Sequence, residues 1–544
     1  MPPNDELTAN FGDWKREAAN GIDCPAFICS DIKKWNAKTK STAPPPFQRS
    51  PYDPHPCIEG PLLTRVAVFL CHALLFLYGL IAERLRIART SAQEERPEQR
   101  DFAPLHDHFD SLFTNNIYRM ASDVLNRPIK GVPGAEVVIK ERYSNDFGWT
   151  YKFTGVERRV INLGSYNYLG FSHKEGPCAE AAACAIDQQG LGTCATGDEA
   201  GKRLSCSSNR MCGAQRELEL QIARYLRTED AICFPMGFGV NTQVIPALAD
   251  ENTLALSDAL NHSSIVLGLR LAKATIKVFP HNDMDKLETM LRNALVARAR
   301  SGRPPFRKVL VIAEGIFSME GTIVNLPRLV EIKRRYGCFL YLDEAHSIGS
   351  LGPTGRGVTE YWGIDAREVD VLMGTITKSF AGAGGYIAGT RALVQHLRSR
   401  TPGPIYSPTM SPPVIAQVIT SLKISMTEVG RERSALLLRN TRYFRRRLKA
   451  MGFIVYGSAD SAVIPVLSFG MPRTVLFGRE ALKRGVAVVS VGAPATPLNK
   501  ARARFCVSAS HTREQLDEAL RVADACGELA GIKFLDAREE SIIY

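Results

Sequence analysis

The chain has 544 residues, with 68 Lys and Arg against 56 Asp and Glu for a net charge of +12, and it is 45% hydrophobic and 23% charged. That balance excludes a mainly disordered chain, a collagen and a polytopic membrane protein, and the length accommodates more than one domain, or one large domain with appendages. The net charge of +12 suits an anionic membrane surface or a polyanionic substrate but is modest over this length and demands neither. Its thirteen cysteines are scattered, none at C-x-x-C spacing, and the closest pair is Cys24 and Cys29. Reduced thiols in a cytosol-facing protein are therefore expected, and no metal site.

In chain order, residues 1–60 come first, rich in proline and polar residues as in Ala43-Pro44-Pro45-Pro46 and Ser50-Pro51-Tyr52-Asp53-Pro54. They predict a flexible N-terminal tail, and the lack of an early apolar segment argues against a cleaved signal peptide. Val66 to Ala82 then reads VAVFLCHALLFLYGLIA, seventeen residues with His72 as the one polar interruption. A core helix alternates with polar residues at a period near 3.6, whereas this stretch is apolar all round and at the lower limit for a bilayer span. A membrane-anchoring helix is expected over 66–82. Arg65 bounds it on one side and Glu83, Arg84, Arg86 and Arg89 on the other, which places the long C-terminal part in the cytosol.

From about residue 155, short β-branched runs alternate with longer amphipathic stretches, the pattern of a mostly parallel sheet covered by helices. Four apolar runs end in polar residues: 231–234 leads into PMGFGVNT, 308–313 into EGIFSMEG, 338–342 into DEAHSIG and 369–373 into GTITKSFAGAGG. Ligands on open α/β sheets bind beyond the carboxyl ends of the strands, so the four endings are candidates for one site. Asp343 follows a strand directly, where a poorly solvated carboxylate needs a cationic partner. Lys378 lies in a Thr/Ser/Gly-rich turn, where a lysine of depressed pKa serves as a Schiff-base nucleophile, with Thr375, Thr377 and Ser379 as nearby hydroxyls. Gly237-Phe238-Gly239 stands where a strand gives way to a helix, a place for a phosphate. A carboxylate for a pyridinium, a lysine for an aldehyde and a helix N-terminus for a phosphate together describe pyridoxal 5′-phosphate. A P-loop is excluded, because Gly352–Gly357 lacks the G-K-[ST] ending.

At these residues the sequence resembles the α-oxoamine synthases, fold-type I pyridoxal-phosphate enzymes that condense an amino acid with an acyl-CoA. The resemblance covers roughly residues 110–530 and rests on NYLGF (167–171), LSDALNHSSI (256–265), EGIFSMEG (314–321), YLDEAHSIGSLGPTGRG (341–357), GTITKSFAGAGGYIAG (374–389), SPP (411–413) and RARFCVSASHT (502–512). Within the family it is most similar to the lysine-bearing branch of the eukaryotic serine palmitoyltransferases, through its TKSF and RARFC motifs and its apolar segment. The resemblance implies a mostly parallel central sheet with helices on both faces and a smaller C-terminal α/β domain, divided as an N-terminal arm (110–160), a cofactor-binding large domain (161–430) and a small domain (431–530). It implies that Lys378 bonds the cofactor, Asp343 pairs with the pyridine nitrogen, and His262 stacks on the ring and positions the substrate carboxylate. His346 would hydrogen-bond the phenolic oxygen with Ser318 nearby, Gly237, Phe238 and Thr375 would hold the phosphate, Arg504 would bind the amino-acid carboxylate, and Asn167 would reach toward the site from a subunit-contact segment.

One stretch departs from the family pattern. Gly197 to Gly213 reads GDEAGKRLSCSSNRMCG, longer and more basic than the family's loop, and Gln215 stands near the expected histidine. The implied reaction is the decarboxylative condensation of L-serine with palmitoyl-CoA at the endoplasmic reticulum membrane. The implied partner is a homologous lysine-free subunit in a heterodimer, with small regulatory membrane subunits beside it and no nucleic acid. The competing readings are a sister synthase using glycine or alanine, which the apolar segment disfavours, and a non-catalytic subunit of the same fold, which the presence of Lys378 disfavours.

Overall fold

The apolar runs that read as strands pair into one central sheet. In the computed structural model, which describes residues 47–51, 59–89, 112–192 and 210–536, three strands come first: β1 (Ile129–Lys130), β2 (Glu136–Tyr143) and β3 (Lys152–Asn162). Then come β4 (Asp230–Phe234), β5 (Thr253–Asp258), β6 (Thr275–Phe279), β7 (Lys308–Glu314), β8 (Phe339–Asp343), β9 (Val371–Thr375) and β10 (Gly385–Gly389). These form a seven-stranded sheet in the order β4-β10-β9-β8-β7-β5-β6. Only β10 runs against its neighbours, pairing antiparallel with β4 and β9. Every residue of β4, β5, β9 and β10 is buried. Helices therefore cover both faces, which explains continuous apolar runs in place of alternation.

Local signals set the connections. The helix Leu326–Tyr336 starts where the Asn325 side chain accepts from the Arg328 N–H, and it stops at Gly337, whose φ of +62° is left-handed. That stop delivers the chain to β8 and so sets the position of Asp343.

The C-terminal part adds β11 (Val463–Phe469), β12 (Val486–Ala487), β13 (Val489–Val491) and β14 (Ala501–Cys506). β11, β14 and β13 make an antiparallel sheet, while β12 pairs parallel with β3. The segment expected as an arm, 110–160, is thus joined into one sheet with the C-terminal part. The boundary expected at 430/431 falls inside the first turn of the helix Glu428–Ala450.

The N-terminal regions depart further from expectation. Most of the tail 1–60 lies outside the described residues, but where it is described it is pinned. The Ser50 N–H and hydroxyl both donate to the buried Asp460 carboxylate at 2.9 and 2.7 Å. Arg442 Nε donates to the same carboxylate at 2.7 Å, and Arg49 stacks on Trp362 at 4.1 Å. The apolar helix is longer than 66–82: it runs Leu62–Arg89, with a 24-residue stretch, Leu62–Leu85, long and apolar enough to cross a membrane. At 1.5 Å per residue that stretch is about 36 Å, against a hydrocarbon core of about 30 Å. Only a narrow stripe of it is buried. Val68 packs on Ile454, Leu467 and Phe469, and Glu83 accepts from Asn116 Nδ2 at 3.1 Å.

The loop after β8 and the turn carrying Lys378 touch at a glycine. Gly349 has φ +75°, and a Cβ there falls 2.3 Å from the Ser379 Cβ. Gly349→Ala therefore combines a left-handed backbone penalty with overpacking, together about 2–4 kcal/mol. The expected result is a lower thermal midpoint and a looser Lys378 turn; an unchanged midpoint in calorimetry contradicts the close approach.

Candidate functional site

The parallel strands β4, β7, β8 and β9 present their carboxyl ends at one edge of the sheet. Asp343 ends β8 and is 3% exposed. Asn241 Nδ2 donates to one of its oxygens and the Ala345 N–H to the other, both at 2.9 Å. Asn241 is itself oriented by the Tyr341 hydroxyl, which donates to its Oδ1 at 2.6 Å. A buried carboxylate held on both oxygens cannot swing, so its direction toward the site is set.

His262 caps the helix Ser263–Leu271, its Nδ1 accepting from the Ser264 N–H, and its ring meets Phe238 edge to face at 5.8 Å. Burial pulls its pKa below the ordinary value, leaving a neutral imidazole suited to stacking. The His262 N–H donates to the Glu314 carboxyl at the end of β7. Burial first, and then the Asp343 charge, push Glu314 well above the usual carboxylate range.

Lys378 lies in the turn after β9. Burial pulls its amine down to about 8, with Asp343 and Glu314 opposing and Arg504 adding to the shift. Its Nζ stands 5.6 Å from the Tyr166 ring centroid, and the Arg504 guanidinium lies 4.9 Å from the same centroid. Arg504, on β14, donates to the Ser318 carbonyl at 3.2 Å and approaches Met319 Sδ at 3.4 Å. Its Nε is buried with no partner within the protein, an orphan donor that a bound acid would satisfy. His346 is buried, its Nδ1 2.8 Å from the Tyr168 hydroxyl, and its ring stands edge-on to Tyr166 at 5.0 Å. Burial holds it well below its ordinary pKa, hence neutral.

The site fits pyridoxal 5′-phosphate on its own geometry. The helix Gly237–Leu248 opens after Met236 with no side-chain cap and no acid in its first turn, so its first N–H groups are free for a phosphate. A Cβ on Gly237 would fall 3.0 Å from Thr375 Cγ2, which explains glycine where a ligand must approach the backbone.

The expected residues do not all belong together. The structure gathers Lys378, Asp343, His262, His346, Arg504, Ser318, Gly237, Phe238 and Thr375 at the strand ends. Asn167 stands apart: it is 6% exposed, its Nδ2 donates to the Pro133 carbonyl and its Oδ1 accepts from the Ser172 N–H, both at 3.3 Å. Within this chain its amide holds a turn. The Ser379 hydroxyl is likewise turned away, donating to the Ile348 carbonyl at 2.6 Å. Gln215 ties its helix to the Met410 N–H at 3.1 Å. Most of the Gly197–Gly213 stretch, residues 197–209, lies outside the described residues. Sequence reading missed Tyr166, Tyr168, Asn241 and Glu314. Glu314 was within reach, since it ends a strand as Asp343 does; Asn241, inside a helix, gave no local signal.

Residues 158–522 match the family Aminotransferase class I and II. Serine palmitoyltransferase 3 of Caenorhabditis elegans is 49% identical over 449 residues, covering 82% of this chain and 86% of its own. Serine palmitoyltransferase 3 of Homo sapiens is 44% identical over 484 residues, covering 88% and 86%. Among solved structures, the serine palmitoyltransferase of Sphingomonas wittichii superposes with a TM-score of 0.67 at 28% identity, covering 79% of this chain and 100% of its own. A serine palmitoyltransferase solved with PLP as its internal aldimine gives the same four values.

The lowered Lys378 amine has a kinetic consequence, because only the neutral amine attacks an aldehyde. Covalent capture of pyridoxal 5′-phosphate by the apo-protein is expected to accelerate as pH rises and to level off above about 8. Stopped-flow absorbance measures this; a rate still rising toward pH ~10.4, the unperturbed lysine value, contradicts the buried amine.

Proposed function

Because the chain belongs to the serine palmitoyltransferase family of pyridoxal 5′-phosphate-dependent acyltransferases, we propose that it is the lysine-bearing catalytic subunit. It condenses L-serine with palmitoyl-CoA, releasing coenzyme A and carbon dioxide and leaving 3-ketodihydrosphingosine, the first step of sphingolipid long-chain base synthesis. The observation that carries this reading is Lys378 in the turn after β9, with its amine pulled down to about 8 by burial and the Asp343 charge opposing the shift. A subunit of the lysine-free kind has no such group.

When bound, the cofactor supplies an electron sink for the carbanion at serine Cα. Lys378 would hold it and Gly237, Phe238 and Thr375 would receive its phosphate. Asp343, clamped by Asn241 and Ala345, would keep a proton on the ring nitrogen, a role a fixed buried carboxylate performs without reorganising. His262 covers the ring as a neutral aromatic and helps place the serine carboxylate. His346, with Ser318 nearby, would receive the phenolic oxygen, and its contact with Tyr168 fixes its ring. Arg504 would receive the serine carboxylate through its orphan Nε side. Lys378 takes the Cα proton as the general base, and after the new carbon–carbon bond forms and the carboxylate leaves, it returns a proton to the same carbon.

The helix Leu62–Arg89 supports association with a membrane, and we assign that membrane to the endoplasmic reticulum with the catalytic part facing the cytosol. A palmitoyl chain gains about 0.8 kcal/mol per CH₂ buried in lipid, so substrate and product concentrate where such a helix holds the enzyme. The partner in this reading is a homologous lysine-free subunit.

Lys378→Ala is expected to abolish both the visible absorbance of the bound cofactor and the condensation, with the fold retained; near-wild-type turnover overturns the assignment. Asp343→Asn is expected to slow serine Cα–H exchange in deuterated water by about 10²–10³, a barrier increase of about 2.7–4 kcal/mol; unchanged exchange removes Asp343 from the chemistry. Assays with serine, glycine and alanine, on the chain alone and co-expressed with the lysine-free homologue, decide substrate and partner. Serine alone should turn over, and turnover should rise on co-expression; full activity of the solitary chain refutes the heteromeric reading.

A further inference from the structure

The β2–β3 hairpin carries large apolar side chains that nothing in the catalytic fold uses. At its tip Phe147 is 88% exposed, Trp149 50% and Phe153 61%. The tip is built rather than loose. The Asp146 carboxylate accepts from the Thr150 N–H at 2.9 Å, from the Thr150 hydroxyl at 2.6 Å and from the Ser144 hydroxyl at 2.7 Å. Within that turn Phe147 takes φ +56°, a left-handed conformation that a bulky residue rarely adopts, and its ring is turned outward.

The aromatic tip is backed by positive charge. Arg119 stacks on Trp149 at 4.1 Å, Arg142 on Tyr151 at 4.0 Å, and Lys140 lies 5.9 Å from the Phe153 centroid. Further along the hairpin, Glu141 pairs with Arg158 and Glu157 with Lys130. Arg119, Lys140, Arg142 and the exposed Lys152 are thus set against the single acid Asp146, a net positive surface around exposed aromatic rings.

The tip is also continuous with the apolar helix. Asn116 donates to Glu83 at that helix's C-terminal end. One turn further on, roughly 5 Å along a helix axis, Arg119 donates to the Phe147 carbonyl and stacks on Trp149. Trp149 therefore lies two contacts from the place where the apolar stretch gives way to charge. Aromatic rings with basic neighbours concentrate at that depth of a membrane, where ring and headgroup charge are both accommodated.

We infer that the tip of the β2–β3 hairpin, through Phe147 and Trp149 with Lys140, Arg142 and Lys152 behind them, seats in the headgroup boundary of an anionic lipid surface beside the apolar helix. This rests on the reading of that helix as a membrane anchor. Two contacts, one helix and one hairpin, fix the catalytic domain's orientation over the lipid, where a single helix leaves it free to swivel.

The test uses the full chain loaded with pyridoxal 5′-phosphate in vesicles of brominated phosphatidylcholine, with and without phosphatidylserine. Flotation reports the helix, and quenching of tryptophan emission reports the tip. The wild type is expected to lose a fraction of emission that is absent in Trp149→Phe. The Lys140→Gln/Lys152→Gln pair should reduce that loss in vesicles containing phosphatidylserine, and turnover in detergent should stay unchanged in both variants. A chain that floats while wild type and Trp149→Phe are quenched equally overturns the tip contact and leaves the anchor standing, and a tip made for a protein partner gives that same result in protein-free lipid. A chain that does not float overturns both.

Discussion

The buried carboxylate of Asp343 is the constraint around which the catalytic end of the molecule is arranged. Burying an ionised group is costly unless its lone pairs are satisfied and a positive charge stands near. Here Asn241 and the Ala345 N–H satisfy the oxygens. The Tyr341 hydroxyl in turn orients Asn241, so strand β8 and the helix Gly237–Leu248 are locked to each other through one acid. The same helix offers its uncapped N-terminus to the phosphate. The carboxylate and the helix start proposed for the ring nitrogen and the phosphate therefore lie on elements joined to each other.

Opposite this anchor, Lys378 experiences competing effects. Burial favours its neutral form, Asp343 and Glu314 favour the charged one, and the balance leaves the amine about 8. Glu314 is itself pushed well above the usual carboxylate range, by burial first and then by the Asp343 charge.

The substrate end of the site is made by two parts of the chain far apart in sequence. Arg504 belongs to the C-terminal sheet but hydrogen-bonds the Ser318 carbonyl in the loop after β7. Arg502, one strand step away, donates to the Met319 carbonyl at 2.7 Å and pairs with Glu320 at 3.2 Å. These bonds tie the C-terminal sheet to the loop after β7 beside the Arg504 guanidinium. The β3–β12 pairing joins the β2–β3 hairpin to the C-terminal part of the chain.

The sequence alone determined the class of sheet and the apolar helix, because each has a local signature. Strand ends followed by Asp343 and Lys378, a glycine at a helix start and a run of apolar residues are all legible along the chain. Its helix limits were short, 66–82 against Leu62–Arg89, because flanking residues such as Thr64 and Glu83 are sheltered by protein contacts that composition does not reveal. The hydrogen bond of Asn167 to the Pro133 carbonyl was likewise not legible, because an asparagine in a family motif looks the same whatever its amide faces. Asn241, Tyr166 and the Arg504–Ser318 contact were decided only by tertiary structure, since each depends on which segments meet across the sheet edge, and partners separated by a hundred residues or more leave no spacing to read.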